Sequence, residues 1–152
     1  MLALILPLLL SAQAPSVQAP PKPEELKPLG FFSQKFPYKW DVLLPLKVDV
    51  DGLRLNTIFF NRREVNSWPL KGAEFGTRAQ IEVTNTAKKV RVPNFAVAVF
   101  DEEGRLLGVA TGGSKISGVA PGETETFDLN FSRIIQRLPK GTNFVLSLEF
   151  SQ

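Results

Sequence analysis

Several short segments contain residue types that proteins use for catalysis or metal binding. Asp49, Asp51 and Gly52 follow one another in the order of a calcium-binding loop. In an EF-hand loop the oxygen ligands recur at alternate positions, and the next position here is Leu53, which has no side-chain oxygen. The same residues match a two-residue hairpin turn. The spacing therefore predicts a hairpin rather than a calcium site.

A glycine-rich segment that ends in a serine and a lysine has the composition of a phosphate-binding loop. Gly108, Gly112 and Gly113 precede Ser114 and Lys115. In a phosphate loop the lysine comes before the serine and a helix begins there, and neither condition is met here. Ser114 and Lys115 do not suit a nucleophile and its base, because adjacent residues of a strand face opposite ways. We predict a glycine-rich bend between strands.

The composition excludes several kinds of chemistry. The chain has no cysteine and no histidine. A thiolate nucleophile, a disulfide and a cysteine-ligated metal are therefore ruled out, and the commonest general base and metal ligand near neutral pH is missing. The neighbouring acids Glu102 and Glu103 fall in a predicted turn, where water solvates them. We predict that the protein is not an enzyme and binds no cofactor or metal.

Aromatic side chains form the more informative pattern. They cluster in residues 31–40, and Trp68 lies in the long connection between residues 61 and 76. One interpretation is that these rings cap the open ends of a sandwich. The other is that they form a contact surface, since Trp and Tyr are enriched in binding hot spots and apolar patches mark interaction sites. The candidate contact surface consists of Trp68, Tyr38 and Trp40.

The charge distribution argues against nucleic acid as a partner. The chain has 18 basic and 15 acidic residues, a net charge of +3. Its basic pairs, Arg62-Arg63 and Lys88-Lys89, lie far apart in sequence, and acids are interleaved along most of the chain. Phosphate binding needs a concentrated basic face. We predict no nucleic-acid role.

The first residues have the layout of a secretory signal peptide. Leu2 to Leu10 is an unbroken apolar run, followed by small residues up to Ala14. The run is shorter than the roughly 20 residues that span a bilayer, so we predict no integral membrane span in the mature chain. The segment before the run has no basic residue, and Pro15 is unfavourable directly after a cleavage site. Either cleavage occurs elsewhere among residues 12–19, or the true start lies upstream.

The chain is thus divided into a signal peptide (1–14), a tether (15–29) and one domain (30–152). Residues 15–28 contain five prolines, a composition that favours extended polyproline conformations and cannot build a core. We expect the domain to work outside the cytoplasm, as a periplasmic, cell-surface or secreted protein.

A hairpin is the clearest structural signal in the domain. Residues 46–50 and 53–57 alternate between apolar and polar side chains, and Asp51-Gly52 stands between them. Asp-Gly between alternating segments is typical of a type I′ turn, which needs positive φ at both central positions. The register satisfies both faces of the hairpin. The predicted pairs are Val50 with Leu53, Val48 with Leu55 and Asp49 with Arg54.

Three further segments alternate in the same way, at 77–84, 123–131 and 144–150, and two more predicted strands lie at 94–100 and 105–110. Residues 94–100 are apolar on both faces, which predicts a central strand covered on both sides, with Val97 and Val99 facing the core. Only residues 132–138 suit a helical turn or two. About seven short strands with Gly, Pro, Asn and Asp between them predict an all-β fold, an immunoglobulin-like antiparallel β-sandwich.

Three motifs within residues 74–131 resemble the FxLYD-type extracytoplasmic domains, which are immunoglobulin-like. The first is Val97 to Asp101 with Gly104, the second is Pro121-Gly122-Glu123 with Phe127, and the third is Glu82 to Thr86. The chain departs from the family pattern in having Val97 in place of Phe, and Val99 and Phe100 in place of Leu and Tyr. The resemblance implies the fold and export. It implies no activity.

The sequence therefore predicts a non-catalytic extracytoplasmic binding or assembly module that contacts another protein or the cell envelope. Its partner would be an envelope or secreted protein. The alternative is a carrier of a small molecule or glycan, with an apolar pocket between the sheets.

Overall fold

The computed structural model describes residues 30–64, 74–113, 118–131 and 136–151, and within them the fold is all-β, as predicted. Eight strands and one 3-10 turn are present in these ranges. The signal peptide, the tether and Trp68 lie outside the described residues. The strands are β1 (Phe32–Pro37), β2 (Leu43–Val50), β3 (Leu53–Glu64), β4 (Glu74–Asn85), β5 (Val92–Phe100), β6 (Leu106–Gly112), β7 (Thr124–Phe131) and β8 (Asn143–Ser151).

The strands form two antiparallel sheets of four. Sheet I has the order β1-β8-β5-β6, and sheet II has the order β2-β3-β4-β7. The chain crosses between the sheets after β1, β4, β6 and β7. The pairs β4–β7 and β5–β8 correspond to the B–E and C–F pairs of immunoglobulin-like sandwiches, and β1 takes the place that strand G holds beside strand F. The predicted sandwich is confirmed, with β1 as a strand that was not predicted.

The predicted hairpin is confirmed in turn type and register. Asp51 and Gly52 have φ values of 49° and 80°, as a type I′ turn requires. Asp49 Oδ1 accepts a hydrogen bond of 3.0 Å from the backbone N–H of Gly52. The carboxylate of Asp49 thus stabilises the turn. The pairs Val50–Leu53, Asp49–Arg54 and Val48–Leu55 are all present.

A β-bulge beside the hairpin turn changes which residues of β3 face the core. Between Pro45 and Val48, strand β2 has two residues where β3 has one, Asn56, and Lys47 takes a φ of 53°. Asn56 is also the extra residue of β3 against β4. An extra residue moves every later side chain to the other face of the strand. After the bulge the inward side chains are Ile58 and Phe60.

The core consists of the inner faces of both sheets. Val97 and Val99 are fully buried, which confirms their predicted orientation in β5, an interior strand of sheet I. The prediction that β5 is covered on both sides is wrong for the described residues, in which its outer side chains are only half-buried and face away from sheet II. The fully buried larger side chains of the core include Phe60, Phe131, Phe144, Leu53, Leu55, Ile58, Ile81, Leu129, Leu138, Leu146, Leu148 and Val83.

Buried polar side chains fix two of the turns. Nδ2 of Asn85 donates to the carbonyl oxygens of Lys89 and Val119 at 2.9 and 2.8 Å, and its Oδ1 accepts from the N–H of Ala87 at 2.9 Å. Because Val119 precedes β7, this one side chain ties the end of β4 to the start of β7. Asn85 belongs to one of the motifs on which the family resemblance rests, and its role here is structural.

Asp101 fixes the turn between β5 and β6. Its carboxylate accepts hydrogen bonds from the backbone N–H and the Nε of Arg105 at 2.8 and 2.7 Å. Burial by itself raises the pKa of Asp101, but the hydrogen bonds and the charge of Arg105 outweigh it and hold that pKa below its ordinary value. Gly104, at φ 77°, completes the predicted turn.

The remaining helical prediction is only partly placed. A 3-10 turn spans Leu138–Lys140, at the end of the predicted segment 132–138 and beyond it, with Leu138 buried in the core. Residues 132–135 lie outside the described residues. No helix in the described ranges is long and apolar enough to cross a membrane.

Candidate contact surface

Tyr38 is a core residue, so its assignment to a contact surface is wrong. Its side chain is only 5% exposed. The chain passes from β1 in sheet I to β2 in sheet II at this point, and the backbone N–H of Tyr38 donates to the carbonyl of Thr142 at 2.9 Å. The ring is therefore directed into the end of the sandwich. It lies 4.6 Å from the ring of Phe60 and 6.5 Å from that of Phe144.

The hydroxyl of Tyr38 is buried without a hydrogen-bond partner among the described residues. Burial raises the pKa of this phenol, because the charged phenolate would lose its solvation. A buried hydroxyl without a partner also costs stability. The ring of Tyr38 thus stabilises the core, and its buried hydroxyl lowers the stability of the fold.

Trp40 is half-buried and packs against the core. It borders a surface hollow of about 280 Å³ with Asp41, Asn61 and Arg62. Trp68 lies outside the described residues. Tyr38 and Trp40 therefore cap one end of the sandwich, as the first of the two interpretations has it. They do not form an exposed aromatic patch.

Most of the outer face of sheet II is polar, and its polar side chains bind one another. Its exposed apolar part is Leu43 on the edge strand β2, 61% exposed and opposite Phe59. Arg78 donates from Nε to Asn61 at 3.1 Å and forms a 3.2 Å ion pair with Asp128. Asn56 donates to Glu82 and Thr84 at 3.1 and 2.9 Å. The polar part of this face is well solvated and gives little to an apolar partner.

The outer face of sheet I has the opposite character. Lys35 and Glu149 provide charge on it, on β1 and near the end of β8. Leu106 and Val109 are 53% and 48% exposed, values that are high for such side chains within strands. The pairings place Val145, Ala98 and Val109 side by side across three strands, with Phe100 beside Leu106. We call this surface the apolar face; it consists of Ala96, Ala98, Phe100, Leu106, Val109 and Val145.

A hollow of about 380 Å³ adjoins the apolar face. Its lining includes Ala96, Ser147 and Gly112, whose side chains are small or absent. Asn94 and Glu149 give it a polar rim. A shallow hollow beside an apolar surface suits a protruding side chain of a partner protein.

The sequence of β5 contains a signal for the apolar face. Residues 94–100 are apolar at successive positions, which predicted a strand covered on both sides. The structure has Ala96, Ala98 and Phe100 facing outward, with no layer over them among the described residues. The same pattern therefore marks a surface that can still be covered by another molecule.

Among the described residues, the segments with candidate chemistry do not form a reactive site. Glu102 and Glu103 lie in the exposed turn as predicted, and Glu103 pairs with Arg105 at 2.9 Å. Ser114 and Lys115 lie outside the described residues. Within the described ranges, acidic side chains do not come together in threes as ligands for a metal ion.

A comparison with models of protein families gave no match, and neither did a comparison with curated proteins. The resemblance to FxLYD-type domains stays a prediction from the motifs.

Proposed function

We propose that this protein is a non-catalytic extracytoplasmic binding or assembly module, and that the apolar face of sheet I is the surface that contacts its partner. The observation that carries the proposal is the contrast between the two outer faces. On sheet II the polar side chains of β3, β4 and β7 bind one another, and the exposed Leu43 lies on the edge strand β2. On sheet I the half-exposed Leu106 and Val109 continue across the sheet into Phe100, Ala98 and Val145. Exposed apolar surface with a polar margin is the usual mark of a protein contact site.

A partner protein fits this surface better than a charged envelope polymer. Binding a polyanion needs clustered basic residues, and the apolar face has Lys35 on one side and Glu149 at one end. The carrier alternative finds less support, because the space between the sheets is filled by fully buried side chains such as Phe60, Phe144 and Leu146. The described hollows lie at the surface.

The extracytoplasmic part of the proposal rests on the sequence of residues 1–14 and on the proline-rich segment that follows. After cleavage the proline-rich segment would remain as an extended stretch in front of the domain and would leave the faces of the domain open to partners. We expect the mature chain to begin between residues 13 and 20. N-terminal sequencing of protein from the envelope or the medium checks this, and a cytoplasmic protein that retains Leu2 to Leu10 would contradict it.

Photo-crosslinking in the producing cells tests the contact face. A benzophenone amino acid is placed at Val109 or Leu106 on the apolar face, and at Thr126 on the outer face of sheet II as the control. We expect the same discrete protein adduct from Val109 and Leu106 and little from Thr126. Equal adducts from all three positions, or none from any, would contradict the assignment of the face.

A further inference from the structure

The sandwich is closed along one side and open along the other. On the closed side β6 of sheet I and β7 of sheet II approach each other directly. A Cβ atom at Gly112 would lie 3.2 Å from the carbonyl oxygen of Asp128 and 3.4 Å from Cγ of Leu129. These two edges therefore cover one another. On the open side β1 and β2 hardly meet, and each has a row of backbone groups without a neighbouring strand among the residues that the structure describes.

Strand β2 is protected against pairing with another strand. Pro45 has no N–H to donate, and the bulge at Leu46 and Lys47 bends the strand. Lys47 has a φ of 53°, outside the extended region. Proline, bulges and lysine are the devices by which natural sheets keep their edges from pairing.

Strand β1 lacks most of this protection. It pairs with β8 through six consecutive residues without a bulge. Its proline, Pro37, is the last residue of the strand, and Lys35 is its single charged residue. Among the edges of the two sheets in the described part of the chain, β1 is the regular one that remains open. An open regular edge is a template for another strand.

The inward row of β1 is apolar at both ends and incompletely covered. Phe32 and Phe36 are half-buried, and Gln34 between them is exposed. The ring of Phe36 stacks on that of Phe144 at 5.3 Å. A strand added beside β1 would cover the remaining exposed edge of both phenylalanine rings, which favours pairing.

The order of these residues is self-complementary. In Phe32-Ser33-Gln34-Lys35-Phe36 the two phenylalanines stand two positions on either side of Gln34. We infer that β1 pairs antiparallel with β1 of a second copy of this chain, about a two-fold axis at Gln34. Phe32 then faces Phe36 of the second copy, and Lys35 faces Ser33 of the second copy, so that no like charges are opposed.

This pairing would join the two copies of sheet I into one continuous sheet of twice the width. The apolar faces of both copies would then lie on the same sheet, facing outward. The inference concerns the edge of the sheet and does not depend on the proposed contact face. It goes beyond the proposed function in assigning the second copy as a partner.

The absence of cysteine from the chain allows a direct test. Gln34→Cys in the purified full chain introduces a single thiol at the axis, and directly opposed Cα atoms of an antiparallel pair are close enough for a disulfide. We expect Gln34→Cys to form a covalent dimer under mild oxidation at least about tenfold faster than the control Thr126→Cys, because pairing raises the effective concentration of the two thiols.

Charge substitutions at the same position supply an independent measurement. Gln34→Lys and Gln34→Glu oppose like charges at the axis, so each should sediment as a monomer at a concentration where the unaltered protein is dimeric. A mixture of the two should recover the dimer, and Thr126→Lys should leave it unchanged. A monomeric unaltered protein, equal oxidation rates for the two cysteine variants, or dimers that persist in Gln34→Lys would each overturn the inference. If β1 instead pairs with a strand of a different protein, the purified unaltered protein will be monomeric, and the inference is overturned.

Discussion

The ring of Tyr38 lies 4.6 Å from the ring of Phe60, tilted by 55°, inside one end of the sandwich. Tyr38 follows β1 of sheet I, and Phe60 belongs to β3 of sheet II. Phe144 of β8 completes the group, 5.0 Å from Phe60. The first loop of the domain therefore supplies an aromatic ring that packs between the two sheets.

Replacing the Tyr38 hydroxyl should raise stability. Tyr38→Phe keeps the ring and removes an oxygen that is buried without a partner among the described residues. We expect a gain of about 1 kcal/mol in the free energy of unfolding, whereas Tyr38→Ala should cost about 3–5 kcal/mol by leaving a cavity. Urea unfolding of the two variants measures both. A Tyr38→Phe variant clearly less stable than the unaltered protein would show that the hydroxyl has a partner.

The same phenol should make the protein sensitive to alkali. Tyr38 is the single tyrosine of the chain, so phenolate absorbance reports on it alone. Its folded-state pKa is raised above the value of about 10 that it has when unfolded. Stability from this group is present below pH 10 and is lost as the pH rises above it, because only the unfolded chain then ionises. Phenolate that appears near pH 10 in the folded protein would contradict the burial.

The local features of the fold could be predicted because they depend on short-range chemistry. Asp51 and Gly52 tolerate positive φ, and the alternation of Ala79, Ile81 and Val83 follows from one buried face. Such signals lie within a few residues of each other. The hairpin, its register and the inward residues of β4, β5 and β8 were therefore accessible from the sequence.

Long-range partners were not accessible in this way. Strand β1 is defined by its pairing with β8, and the hydrogen bond between Ser33 and Ser147 joins residues 114 positions apart. The direction of Tyr38 depends on the same pairing. The bulge at Asn56 is a second example, since it depends on how β3 meets both of its neighbours. These contacts decide which aromatic residues are buried and which face of sheet I stays bare.

A charge on the inner face of β5 should unfold the domain. Val99 is fully buried, and Val99→Asp would place a carboxylate without a partner in the core, at a cost of several kcal/mol out of a typical stability of about 5–15 kcal/mol. Val109→Asp on the outer face of β6 is the matched control, since Val109 is 48% exposed. Thermal unfolding distinguishes them. If both variants melt within a few degrees of the unaltered protein, the inward orientation of Val99 is wrong.

The side chain of Asn85 should contribute more to the free energy of unfolding than an exposed asparagine side chain does. Asn85→Ala removes three hydrogen bonds and takes a donor from the carbonyl oxygens of Lys89 and Val119, of which Val119 keeps the N–H of Arg91. We expect a loss of about 2 kcal/mol or more in the free energy of unfolding. Asn130→Ala, on the exposed outer face of β7, should change it by less than about 0.5 kcal/mol. Equal effects in urea unfolding would remove Asn85 from its assigned role.

The central claim is that the apolar face of sheet I binds a partner protein. The partner protein is first identified by photo-crosslinking at Val109. The most direct test is then to measure the dissociation constant of its complex with the unaltered chain and with the Leu106→Lys/Val109→Lys double variant. We expect binding to weaken by about thirtyfold or more, corresponding to roughly 2 kcal/mol, with the melting temperature unchanged. The control Thr126→Lys on sheet II should bind as the unaltered chain does. A double variant that is folded and binds with the same dissociation constant would contradict the claim.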